Sequence, residues 1–393
     1  MSPALRVVVA PDSFGGALDS VGVAAAMARG WRSARPDDEI IMIPMADGGE
    51  GTLAAIAAAM GNGIDRRAVE TIDPLGREIS ADWLALDDGA TGFVEMAAAS
   101  GLAHLAPSER TPAIARAAST RGTGRVIRSA LDSGVTRVVI GLGGSATTDG
   151  GSGLLAELGL RLLDARGEAI ADGGAALAAV DHVETDGLDP RLDAVELVIA
   201  SDVTSPLVGP RGAAASFSPQ KGADPEAVAE LDAALGRWGA EIRRAAGRDV
   251  VDVPGAGAAG GTTAGLLGFT NAQVRPGVEV VAELVGLAAA CEGADIVITG
   301  EGRADEQTLA GKAALGVARH AGRSPVLLLC GGLGPGAEIV EASGVFAVVQ
   351  PIVDRPTDLE TAMADTERLL ANAAARLARG IGIGKRLGSR AWR

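Results

Sequence analysis

The sequence predicts an α/β protein: a doubly wound, parallel-sheet domain assembled from both ends of the chain, with a second α/β domain inserted between them. Three observations carry this reading. Short apolar, β-branched runs alternate with Ala-rich helical runs toward both ends, as expected of βαβ units whose sheet is covered on both faces. From Arg66 to Glu95 the pattern changes to strand-like pieces broken by turn residues, then to mixed elements and Gly-rich loops as far as about Ala290. A chain of 393 residues also exceeds one ordinary core.

In order, "LRVVVA" leads into the helical run "VAAAMARGWRSA", and "EIIMIP" into "TLAAIAAAM". The pieces "RRAVETI", "ISADWLAL" and "GFVEM" then read as strands, and "TRVVIG" is a strand that ends in a glycine loop. Beyond Ala290 the alternation resumes with "DIVITG" before "TLAGKAALGVARHA", "PVLLLC" before "AEIVEA", and "VFAVVQ". The expected division is residues 1–75 with 291–380 as the doubly wound domain, 76–290 as the insertion and 381–393 as a basic, disordered tail. A contiguous division near Pro190 or Val250 is the alternative. The tail reading rests on "RLARGIGIGKRLGSRAWR", which has six basic residues and no acid.

Composition narrows the function. Hydrophobic residues are 47% and charged residues 22%, an ordinary soluble mixture, but Tyr is absent and aromatics reach only 2%. The core must therefore be built mainly from Ala, Val, Leu and Ile. A net charge of -15 argues against a nucleic-acid or anionic-membrane surface, leaving small anions gathered by local cations. Cys291 and Cys330 are too few for a disulfide framework or a zinc site, and His104, His182 and His320 lack metal-ligand spacing. The N-terminus runs into a strand without a basic segment and apolar core of the secretory type, so the expected location is the cytoplasm.

Four apolar strands end in an acid within a few residues: Asp12, Asp47, Asp202 and Glu301. Ligands of open α/β sheets bind beyond the carboxyl ends of strands, so these acids are expected to converge on one cleft. Each taken alone reads equally well as a helix cap. Only three of the 35 basic residues are lysines, and two of these lie in motif-like loops. Lys221 follows Arg211 by ten residues, offering a point charge and a planar fork to one anion. Lys312 precedes a helix, where a lysine opposes the dipole and needs an anion.

Two glycine loops, "GLGGSATTDGG" and "PGAGAAGGTTAG", lead into helices and can bring backbone N–H groups up to phosphate. Neither is a P-loop. Asp149 sets a negative charge inside the first. Gly141, Gly143 and Ala146 also satisfy the dinucleotide pattern G-x-G-x-x-A, with Asp164 as a ribose-binding acid, so an NAD-dependent hydroxy-acid dehydrogenase is the alternative enzyme.

"VVVAPDSFGGAL", "MADGGEGT", "GLGGSATTDGGSG", "SDVTSPLVGPRGAAASFSPQKGA", "PGAGAAGG" and "ITGEGRADEQTLAGKAALGVA" resemble, in order and spacing, the bacterial glycerate kinase family, type I. The resemblance runs from about Leu5 to about Ala378 and implies a flavodoxin-like domain with a second α/β domain inserted. It further implies transfer of the γ-phosphoryl group of ATP to D-glycerate with Mg²⁺, giving 2-phosphoglycerate most often and 3-phosphoglycerate otherwise. The expected partners are small molecules, glycerate and ATP, with neither nucleic acid nor membrane, and the chain is expected to be a monomer or homodimer. This chain departs from the family pattern in having Gly15 in place of a lysine, Thr148 in place of Asn, and Thr204-Ser205 in place of Asp-Asn.

Phosphoryl transfer needs positioning, charge neutralisation and an acceptor for the hydroxyl proton. On that scheme Asp202, or else Asp47, is expected to be the base, with Arg211 and Lys221 neutralising charge. Asp12, Ser13, Ser145, Thr147 and Asp149 are expected to contact substrate. Gly143, Gly144, Gly257, Gly260, Gly261 and Lys312 are expected to hold nucleotide, and Glu301 with Asp305 to face Mg²⁺.

Overall fold

The computed structural model describes residues 4–388. Its strands are β1 (Arg6–Val9), β2 (Glu39–Met42), β3 (Asp65–Ile72), β4 (Glu78–Leu86), β5 (Thr91–Glu95), β6 (Arg137–Gly141), β7 (Arg161–Leu163), β8 (His182–Glu184), β9 (Glu196–Ala200), β10 (Gln273–Arg275), β11 (Ile296–Ala304), β12 (Val326–Leu333) and β13 (Val348–Pro351). They fall into two compact units. The first comprises residues up to Asp47, Ala54–Gly61 and the chain from Val278 onward; the second comprises Gly48–Leu53 and Asn62–Gly277.

The first unit is a five-stranded parallel sheet in the order β13-β12-β11-β1-β2. Counted by their succession within the unit, the strands run 2-1-3-4-5, the flavodoxin-like order. Its switch point, where the strand order reverses, lies between β1 and β11. Central strands are apolar on both faces, with Val7, Val8, Val9, Val297, Ile298, Leu328 and Leu329 all fully buried, because helices cover both sides. Asp19 caps the helix Ser20–Ala34 by accepting from the Gly22 N–H at 2.7 Å. That helix packs on Thr366–Gly388 closely enough that a Cβ on Gly30 would stand 2.0 Å from the Ala371 carbonyl oxygen. Met27, Trp31, Leu370 and Ala374 fill the core beside this contact.

The second unit is a six-stranded sheet in the order β10-β9-β6-β5-β4-β3. Strands β5, β6, β9 and β10 run parallel, while β3 and β4 form an antiparallel flank. Trp83 and Trp238 anchor its core among Leu, Val and Ala side chains, as the aromatic-poor composition requires. A separate hairpin joins β7 and β8.

The units divide at other residues than the sequence suggests. β3 pairs with β4 from Asp65↔Ala85 to Ile72↔Glu78, so residues 62–75 lie in the second unit. Residues 278–290 lie in the first, where Val278 abuts Gly316 so tightly that a Cβ there would meet it at 2.1 Å. Part of the expected tail is helical, since Thr366–Gly388 runs through residues 381–388 with Ile381 packed on the core. Basic residues near a helix C-terminus suit its dipole, and the all-basic composition does not itself favour coil. Residues 389–393 of that expected tail lie outside the described residues. Among the described residues no helix is long and apolar enough to cross a membrane.

Candidate active site

In the first unit three adjacent strands deliver acids at their carboxyl ends: β2 leads to Asp47, β1 to Asp12, and β11 contains Glu301. Pairing continues past β1, since the Asp12 N–H donates to the Gly300 carbonyl at 2.9 Å and the Met45 N–H to the Pro11 carbonyl at 2.8 Å. Asp12 and Glu301 thus flank the switch point, where such sheets bind ligands. Burial, then the charge of Asp47, and less strongly Glu301, raise the Asp12 carboxyl to about 7 against a hydrogen bond from the Ser13 N–H. Asp47 and Ser13 are exposed beside it.

Glu301 is buried, which pushes its carboxyl up, while the Thr308 hydroxyl donates to it at 2.6 Å and Lys312 draws it down. Thr308 in turn accepts from the Asp305 N–H at 3.1 Å. Asp305 accepts from the Gln307 N–H at 3.0 Å and from Arg303 Nε at 2.8 Å, with Lys312 Nζ at 3.9 Å. Burial opposes ionisation there, but the Arg303 hydrogen bond, the Gln307 N–H and the two cations hold the carboxyl below its usual range.

Among the described residues no three His, Cys, Asp or Glu side chains gather into a metal-binding group. Mg²⁺ keeps several waters and needs only one or two carboxylates. Asp12 and Glu301, the latter adding to the cost of ionising the former at the switch point, fit that donor set. Asp305 does not: its oxygens cap the turn Glu306–Leu309 and pair with Arg303. Where the family pattern has a lysine, Gly15 is exposed and a Cβ there would meet nothing within 4 Å. Lys312, 43% exposed, is a cation of the same unit, 3.9 Å from Asp305.

In the second unit the first glycine loop leaves β6 and is strapped to the segment after β5. Gly101 and Ser145 form an antiparallel bridge, and the Leu102 N–H donates to the Gly144 carbonyl at 2.8 Å. Gly144 is exposed at the tip, with φ +72°, and Gly143 is half-buried. From Ser145 onward the loop turns inward. Asp149 is fully buried and accepts from the Thr120 N–H and hydroxyl, both at 2.8 Å, and from the Gly151 and Gly153 N–H groups at 3.2 and 3.3 Å. The expected contact of Asp149 with substrate is therefore corrected: its carboxyl points inward and ties the loop to the helix Ser152–Glu157 and the segment at Thr120. Burial pushes its carboxyl up, and these four donors oppose the shift.

Lys221, expected in a loop as a charge-neutralising group, is buried, 1% exposed. It ends the turn Pro219–Lys221 and reaches Ser145 Oγ at 3.0 Å and the Thr147 carbonyl. Among the described residues it has no ion pair, and burial lowers its amine to about 7 while Asp149 pulls the other way. Thr147 is fully buried, and its hydroxyl, like those of Thr148 and Thr263, has no protein partner. Arg211 is exposed without an ion pair among the described residues, so the expected pairing of Arg211 with Lys221 joins a surface group to an interior one. Asp202, exposed after β9, accepts from the Gly277 N–H at 3.1 Å, at the start of the helix Gly277–Leu284.

The second glycine loop is interior. Added Cβ atoms on Gly257 and Gly260 would stand 2.2 Å from the Pro206 carbonyl oxygen and 2.0 Å from the Thr147 carbonyl oxygen, and one on Gly261 would stand 2.9 Å from Leu207. Close backbone packing accounts for these glycines, which are buried where nucleotide contacts were expected. Asp164 accepts from the Arg166 and Glu168 N–H groups at 2.9 and 3.0 Å, closing a turn instead of presenting the ribose-binding acid of a dehydrogenase.

Glu95 is a buried acid that escaped the sequence reading, although it obeys the same strand-end rule at the end of β5. Its carboxylate accepts from the Gly51 and Leu53 N–H groups at 2.9 and 2.7 Å, ordering the "DGGEGT" turn.

Residues 7–382 match the glycerate kinase family. The chain is 41% identical over 384 residues to glycerate 2-kinase of Escherichia coli K12, covering 97% of this chain and 99% of that one. It is 40% identical over 384 residues to glycerate kinase of Bacillus subtilis 168, with the same coverage. A crystal structure from Salmonella typhimurium LT2, itself assigned as a glycerate kinase 2, superposes with a TM-score of 0.84 at 40% identity, covering 98% of this chain and all of the other. By sequence along nearly its whole length and by fold, the chain belongs to the glycerate kinase family.

Proposed function

We propose that the chain transfers the γ-phosphoryl group of ATP to a hydroxyl of glycerate, giving 2-phosphoglycerate. Similarity along essentially the entire length to a relative named glycerate 2-kinase carries this reading. The chemistry of the two units suits it. Asp12 and Glu301 would hold Mg²⁺, which offsets phosphate charge when bound, and the exposed Lys312 would add a second positive group in the same unit. In the other unit, Arg211 is an exposed fork for a carboxylate or phosphate, and the exposed Gly144 would offer backbone next to Ser145. Asp47 is an exposed carboxylate that would orient a hydroxyl or a metal-bound water.

The test is ADP release from ATP that requires glycerate, followed by phosphorus NMR of the product. A resonance of 2-phosphoglycerate is expected. ADP release indifferent to glycerate would refute the acceptor, and a 3-phosphoglycerate resonance would refute the position.

A further inference from the structure

Lys221 and Ser145 combine features that a surface phosphate-binding lysine does not need. The amine is sealed from solvent, has no ion pair among the described residues, and its one side-chain hydrogen-bond partner is Ser145 Oγ at 3.0 Å. Ser145 is 8% exposed and directly follows Gly144, which is exposed at the tip of the loop. The Thr147 carbonyl fixes Nζ from its other side. Asp149 is the charged group that acts on Lys221. Its oxygens are occupied by Thr120, Gly151 and Gly153. Among neighbouring segments, Arg110 turns its guanidinium to the Leu102 and Leu105 carbonyls, and the Asp224 carboxylate caps Ala227.

Resting on the kinase reading above, we propose that Ser145 and Lys221 form a proton relay for the phosphoryl acceptor. The glycerate hydroxyl gives its proton to Ser145 Oγ while the Ser145 proton passes to neutral Lys221 Nζ. The glycerate oxygen bonds to the γ-phosphorus, the bond from that phosphorus to the bridging oxygen of the β-phosphate breaks, and ADP leaves. Lys221, now an ammonium, returns its proton to water through Ser145 after product departs. An amine held near neutrality suits this role, because a general base works best when its pKa lies close to the operating pH. The relay takes over the proton-accepting role expected of Asp202, whose carboxylate is engaged at a helix start. Ser145 is then a catalytic residue that touches the substrate, and Lys221 acts through it.

The experiment is a pH profile of kcat/KM, with a proton inventory in mixed H₂O and D₂O, for the wild-type chain, Ser145→Ala, Lys221→Met and Lys221→Arg. Wild type should show an acid limb near pH 7 and a bowed inventory, indicating more than one proton in flight. Ser145→Ala should lose on the order of 10²- to 10⁴-fold in kcat with little change in the KM of ATP, and should lose the limb. Lys221→Arg retains positive charge without a titratable amine and should resemble Ser145→Ala. If wild type turns over but its inventory is linear, or if Ser145→Ala keeps the limb, the relay is overturned and the kinase reading stands. Absence of glycerate-dependent ADP release from wild type would instead remove that reading, and the relay with it. The wild-type inventory decides the matter even if a variant fails to fold.

Discussion

Lys221→Met tests the interior position of Lys221 through stability alone, independently of catalysis. Burial takes the amine from the ordinary lysine value of 10.5 to about 7. The folded value lies below the unfolded one, so between these limits the unfolded chain binds more protons, and stability rises with pH. At about 1.4 kcal/mol per pH unit, confining this group costs the wild-type fold about 4 kcal/mol at pH 7 and about 2 kcal/mol at pH 9. Methionine removes that cost and forfeits hydrogen bonds to Ser145 and Thr147, each worth about 1 kcal/mol. The variant should therefore exceed wild type by about 2 kcal/mol at pH 7 and match it by pH 9. Urea unfolding at pH 7, 8 and 9 provides the assay, followed by tryptophan fluorescence because Trp83 and Trp238 are buried in the same unit. Parallel pH profiles for the two proteins would refute the reasoning.

Asp149→Asn turns an amide NH₂ against inward-pointing N–H donors and should destabilise the chain by about 2–4 kcal/mol in urea unfolding. It also removes the anion that favours the Lys221 ammonium, so the acid limb of kcat/KM should move to lower pH; an upward move would contradict this sign. Gly260→Ala places a Cβ 2.0 Å from the Thr147 carbonyl oxygen at φ +65° and should cost at least about 3 kcal/mol, read as a fall in Tm of several degrees. Asp12→Asn should weaken Mn²⁺ binding, measured by water-proton relaxation, by at least about tenfold. Equal affinity in that variant would remove Asp12 from the cation site.

The alternation of apolar strands and Ala-rich helices made the first unit legible, because buried parallel strands such as β1 and β12 are continuous apolar runs. Strand-end acids were equally readable, and Asp12 and Glu301 do flank a switch point. Less legible was β3, whose polar face marks an edge strand and whose partner is fixed only by the hairpin with β4. The glycine loops misled for a physical reason: a missing Cβ admits a carbonyl as readily as a phosphate, and at Gly257 and Gly260 carbonyls fill the space. Likewise, sequence records that Lys221 is charged but not that Ser145 and Thr147, over seventy residues away, close over it.

The pairing of β1 with β11 has a further consequence for biosynthesis. Val7 meets Ile296, a partner made 289 residues later, whereas the second unit ends at Gly277, 19 residues before Ile296 is made. On the ribosome the second unit can therefore acquire its core first, while the apolar β1 waits with its β11-facing edge open. That waiting strand is where nascent chains would be most prone to associate with one another, and slowing synthesis between residues 277 and 296 should lower the soluble yield.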